Sequence, residues 1–147
     1  MTEGVEEIIK TIRGLQSLSD WKEEQEGRIG LVQGANKLAE KLGKGQDTAV
    51  DTHVRKFLDA LRKLDIAFSR QKEEKAKEEK AFDRSRVALL KPKLAYAVSR
   101  KEELLPLYQI LEVAIPKIKN RKDFKYLVDF VESVVAFYKY RELGLKG

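Results

Sequence analysis

The chain has 147 residues, enough for one domain that buries roughly two-thirds of its unfolded surface. Lys and Arg number 30 against 24 Asp and Glu, a net charge of +6; the excess suits a polyanionic partner, while the mixed signs are those of solvated helix faces rather than a naked basic tail. With no cysteine, disulfides, thiolate metal sites, Fe–S clusters and a Cys nucleophile are excluded.

Val5, Ile8, Ile9, Ile12 and Leu15 recur at helical spacing and predict an amphipathic first helix, followed by a break from Ser19 to Gly27. Glu3, Glu6 and Glu7 come first, the reverse of a signal peptide's basic-then-apolar order. No uncharged apolar run approaches the roughly twenty residues that span a bilayer, so a soluble cytoplasmic protein with no membrane partner is expected. Ile29, Val32, Ala35, Leu38, Ala39 and Leu42 mark a second helix that Gly43 and Gly45 stop, and Lys44 to Ala49 reads as a loop. Asp51 or Thr52 is placed to cap a third helix, whose buried stripe is Val54, Phe57, Leu58, Leu61, Leu64 and Phe68. Arg55, Lys56, Arg62 and Lys63 flank that stripe. From Arg70 to Lys80 the chain is almost wholly charged, without Gly or Pro; it reads as a continuing solvated helix held by Glu–Lys pairs, with a disordered segment as the other reading until Phe82.

Val87, Leu89 and Leu90 restore apolar character before Lys91-Pro92-Lys93-Leu94-Ala95-Tyr96-Ala97-Val98-Ser99-Arg100. Pro92 fits a first helical turn, where its fixed φ helps and its missing N–H costs nothing. Lys93, Tyr96 or Ala97, and Arg100 then share one face, beside an apolar stripe of Leu94, Val98 and Leu105. Two cations flanking an aromatic suit a polyanion; a plain solvated face has the same pattern. Ser99 and Glu102 have capping-box spacing. Leu104, Leu107, Tyr108, Leu111, Ala114, Ile115 and Ile118 continue the helical repeat, with Pro106 and Pro116 at turns. Asp123 is placed to cap a last helix with the apolar face Leu127, Phe130, Val131, Val134, Val135 and Tyr138, ended by Gly144. No alternating strand pattern occurs. The expected fold is all-α, a compact bundle of five or six helices forming a single domain over residues 1–147.

The residues of catalysis are sparse. His53 is the one histidine and has no cysteine or second histidine to share a metal. Gly43-Lys44-Gly45-Gln46 lacks the spacing of a phosphate loop. The acidic pairs Glu6/Glu7, Glu73/Glu74 and Glu78/Glu79 sit among lysines, as helix-stabilising charges do. The expectation is a non-enzyme without metal or cofactor.

Three blocks carry a family resemblance. Leu90 to Arg100 resembles the apolar-Arg/Lys-Pro-Lys-Leu-Ala-Tyr segment, followed four residues later by Arg, of the small subunit of type III-A (Csm) CRISPR effector complexes. Thr52-His53-Val54-Arg55-Lys56-Phe57 is similar to that family's Thr/Ser-Gln-aliphatic-Arg-Lys/Asn-aromatic segment, and Val131 to Tyr140 to its Val-Glu-x-x-Val-Ala-Tyr-His-Lys block. The blocks keep the family's order over about residues 30 to 141. His53 stands where Gln is usual, Phe137-Tyr138 replaces Tyr-His, and Ala97-Val98-Ser99 replaces a Gly-containing run.

The resemblance implies a non-catalytic scaffold for antiviral defence that contacts guide (crRNA) and target RNA, beside a backbone subunit and a large polymerase-like subunit, with small subunits stacking on one another. Arg55, Lys56, Lys93 and Arg100 are then the first candidates for RNA contact, with Arg62, Lys91 and Lys139 behind them. Tyr96 is expected to be buried. A weak homodimer of the isolated chain is also expected, through the charged stretch at 70–80. A helical protein–protein adaptor and a DNA-binding helical regulator are the competing readings.

Overall fold

Where apolar side chains recur every three or four residues, the backbone can bury one stripe of each helix and solvate the other, and the chain folds accordingly. A computed structural model of the protein describes residues 3–23, 27–43, 48–74, 83–141 and 143. Among them run α1 (Glu3–Arg13), α2 (Leu31–Leu42), α3 (Thr48–Glu74), α4 (Arg84–Ala88), α5 (Leu90–Arg100), α6 (Leu105–Ala114) and α7 (Arg121–Arg141). Single 3-10 turns at Leu18–Asp20, Glu102–Leu104 and Ile115–Lys117 join some of them. The fold is all-α; among the described residues six helices have ten residues or more, within the expected five or six, and the five-residue α4 is an addition. None of the described helices is long and apolar enough to cross a membrane.

Helix α7 organises the bundle. It packs against α2, α3 and the turn at Leu18–Asp20, while α1 packs against α2 and α6, and α5 lies on α6. Phe124, Phe130 and Tyr138 of α7 are among the largest fully buried side chains. Phe130 meets Trp21 with ring centroids 5.2 Å apart, and Phe124 meets Phe68 edge-on at 5.4 Å. Each such side chain stabilises the fold by about 1.5–3 kcal/mol relative to exposure.

Several helix ends differ from expectation. Thr48 begins α3, so Ala49 is helical and Asp51 and Thr52 lie inside the first turns rather than at the cap. Asn120, not Asp123, caps α7: its Oδ1 accepts from the Asp123 N–H at 2.9 Å. Asp123 sits within the first turn, fully buried, and its carboxylate accepts from the Lys119 and Ser19 N–H groups, each at 2.9 Å. Ser99 forms no capping box with Glu102. Its hydroxyl donates back to the Tyr96 carbonyl at 2.6 Å, satisfying an end carbonyl of α5 as Ser side chains can, and α5 ends at Arg100. The N-terminus of α2 is capped from outside: the Glu23 carboxylate accepts from the Val32 N–H at 2.7 Å. Gly30 makes that approach feasible, because a Cβ there would lie 2.7 Å from Glu23 atoms.

The exposed apolar residues are the other departures. Val32, placed by its spacing in the stripe of α2, is 45% exposed, and Leu105 is equally open because α5 stops before reaching it. Tyr96 is 65% exposed, not buried: the core beneath α5 is supplied by Leu90 and Leu94, and Tyr96 points away from it. The charged extension is helical as far as Glu74; the rest of 70–82, with Phe82, the loop residues 44–47 and Gly144, lies outside the described residues.

Candidate nucleic-acid interface

Lys56, Asp59, Ala60, Lys63 and Leu64 are spaced three and four apart and so form one face of α3. Arg86, Leu89, Leu90 and Lys93 repeat the same spacing on α4 and α5. The two stripes line one open groove of about 530 Å³. Its apolar floor includes the buried Leu64 and Leu90, while Lys56, Lys63, Arg86 and Lys93 are exposed. Four cations thus face a single carboxylate, Asp59. Arg86 also lies over the Phe68 ring, its Cζ 5.8 Å from the centroid, which anchors its stem to the core. Among the described residues, Lys56, Lys63 and Lys93 belong to no ion pair, so their charge stands open to an incoming anion.

Of the residues singled out from sequence, the structure brings Lys56 and Lys93 together here. Arg55 turns to Asp51, Nε to Oδ1 at 3.2 Å, and the other oxygen of the same carboxylate lies 3.9 Å from Lys139 Nζ. Arg62 pairs across to Glu132 on α7. Lys91 is half-buried and lines no part of the groove. Arg100 is exposed and folds back over Tyr96, with its Cζ 5.6 Å from the ring centroid. Arg86, and Lys63 beyond its place flanking the α3 stripe, are not among the RNA-contact candidates read from sequence. Their signal was the seven-residue repeat shared by Lys56/Lys63 and Arg86/Lys93, which acquires meaning once α3 is known to face α4 and α5.

Acidic groups gather instead where α3 meets α7. Arg121 pairs with Asp65 at 3.3 Å beside the Arg62–Glu132 pair. Partial burial pushes the Asp129 carboxyl above the usual carboxylate range, Glu132 and Asp65 push the same way, and Lys125 opposes them. A raised value means that the folded state prefers protonated Asp129. Its stabilising effect is complete below the unfolded-chain value of about 3.9 and is lost as pH rises through the raised one. Asp129→Asn is therefore expected to raise the melting temperature at pH 7. Solvent screening holds the gain below about 1 kcal/mol, and the difference should vanish in melts near pH 3, where both side chains are neutral. A variant that melts lower than the parent at pH 7 would contradict this.

His53 lies half-buried near the start of α3, and among the described residues no three His, Asp or Glu side chains converge on a metal position. What the groove offers is positive charge on α3, α4 and α5 over an apolar floor. Comparison with known proteins adds one finding: a family model described as Csm2 Type III-A matches residues 26–143. No curated protein and no solved structure matches the chain.

Proposed function

Because the chain belongs to the Csm2 Type III-A family, and is therefore a small subunit of a type III-A CRISPR-Cas effector complex, we propose that it holds RNA in that complex by its sugar-phosphate backbone and catalyses no reaction. The observation that carries this reading is the groove between α3 and α4–α5, with Lys56, Lys63, Arg86 and Lys93 around it. In an RNA-guided assembly base pairing reads the sequence, so protein subunits need only recognise charge and shape. Cations fixed on helices do this by displacing the counterions that surround a nucleic acid. The three lysines act as point charges, and Arg86 can present a two-pronged donor to one phosphate. Arg55, Arg62 and Lys139 contribute less, since each already faces a carboxylate within the fold. The other partners under this reading are the backbone subunit, the large polymerase-like subunit and further copies of this chain, in the cytoplasm.

The test is target-RNA capture by the assembled complex across a salt series, with Lys56, Lys63, Arg86 and Lys93 all changed to Gln. Each phosphate contact to a single strand contributes about 0.7 to the slope of log affinity against log salt. Losing four should flatten that slope by about 3 and weaken capture most at low salt. An unchanged slope with an intact, helical subunit would refute the groove as the RNA contact.

A further inference from the structure

We propose that Tyr96 and Arg100 form a stacking platform for one unpaired nucleobase, a base contact added to the backbone grip and resting on that reading. Leu89, Lys93, Tyr96 and Arg100 follow at spacings of four, three and four, so they make one stripe along α5 and the residue preceding it. The first two line the groove. Tyr96 lies one helical turn beyond Lys93, about 4.5 Å further along the axis. A strand whose phosphate meets Lys93 therefore has its next sugar and base within reach of the ring.

The ring is open yet held. Tyr96 is 65% exposed, more than an aromatic side chain retains when its task is packing. Arg100 lies over it at 5.6 Å, and Arg100 Nη1 donates to the Tyr96 hydroxyl at 3.3 Å. These two contacts restrict the phenol without covering it fully, so little further freedom is lost when a flat ligand settles on it. Ser99, one turn away, has its hydroxyl turned down to the Tyr96 carbonyl, and Pro92, one turn the other way, is compact. A phenol beside a planar guanidinium is a surface on which bases stack without regard to their identity. The ligand must be unpaired and unstacked, because a base inside a duplex has both faces covered by its neighbours.

The experiment compares two single strands of about twelve nucleotides binding to the full-length protein: an ordinary RNA and an abasic strand with the same number of phosphates. The parent protein should bind the ordinary strand about ten-fold more tightly, the effect of one base stacked on an aromatic ring. Tyr96→Ala and Tyr96→Leu should abolish that ratio, and Tyr96→Phe, which keeps the ring, should preserve it. Lys56→Gln with Lys63→Gln should weaken both strands alike and leave the ratio unchanged. A parent ratio near one, or a ratio that survives in Tyr96→Leu, overturns the platform and leaves the phosphate grip standing. If Tyr96→Ala spares RNA binding but loosens assembly with the other subunits, the ring is a protein contact and the proposal fails. No binding of either strand at low salt overturns the grip and the platform together.

Discussion

A chain beginning at Lys22 is expected not to fold, although it contains every residue that the family model matches. The deletion removes Val5, Ile8, Ile12, Leu15, Leu18 and Trp21, all buried. It also removes the cost of ordering that segment, so the decisive quantity is the surface uncovered on what remains. α2 and α6 lose the helix packed against them, and α7 loses the turn at Leu18–Asp20. Phe130 loses its aromatic neighbour, the Ile29 carbonyl loses the indole N–H that donates to it at 2.9 Å, and Asp123 loses one of its two donors from outside α7. Each 300 Å² of apolar surface returned to water costs about 7 kcal/mol, against a net stability of about 5–15 kcal/mol for a whole domain. Circular dichroism should show no cooperative melt for the truncated chain, and a hydrophobic dye should bind it. A sharp transition at the parent's temperature would show the segment to be dispensable.

Asp123 should be the most sensitive single position. Asp123→Ala leaves the N–H groups of Ser19 and Lys119 without their acceptor in a fully buried place. Each orphaned group costs about 1–3 kcal/mol, for a combined loss of about 2–6 kcal/mol. Asp123→Asn keeps the shape but can present only one oxygen, so one N–H faces an amide donor; about half the loss is expected. Urea unfolding followed by the fluorescence of Trp21, the one tryptophan, measures both. Equal stability of the Asn variant and the parent would mean that only one of the two bonds matters.

The helices were legible because apolar spacing at 3.6 residues is a local property: every residue of the α3 stripe is buried, whereas Ile9, Tyr108, Ile115 and Val135 of the other stripes are half-buried and the buried Ile110 and Phe124 fall outside them. Their ends were less so. Asp51 and Asp123 are residues that favour caps, yet the side chain that caps α7 is Asn120, and Asp123 is drawn inward by Ser19, a residue distant in sequence. Tyr96 looked like a core residue because aromatics usually are, and its exposure depends on Leu90 and Leu94 filling the space beneath α5. The groove was half visible. Lys56 and Lys93 could be singled out from the motifs, but cations on one helix do not announce which acids they will meet. Arg62 and Lys63 are adjacent in sequence and point apart, one to Glu132 and the other into the groove.

The bond from the Ser19 N–H to Asp123 spans 104 residues, and this bears on how the protein is made. At a ribosomal rate of about 5–20 residues per second, the first elements wait roughly 5 to 20 s for their partner to be synthesised. Through that interval α1 and the Trp21 turn can meet α2 but not α7, so their apolar faces stay partly open. Slowing translation late in the message should lengthen that exposure and increase aggregation or chaperone capture of the nascent chain, with no change in the finished protein.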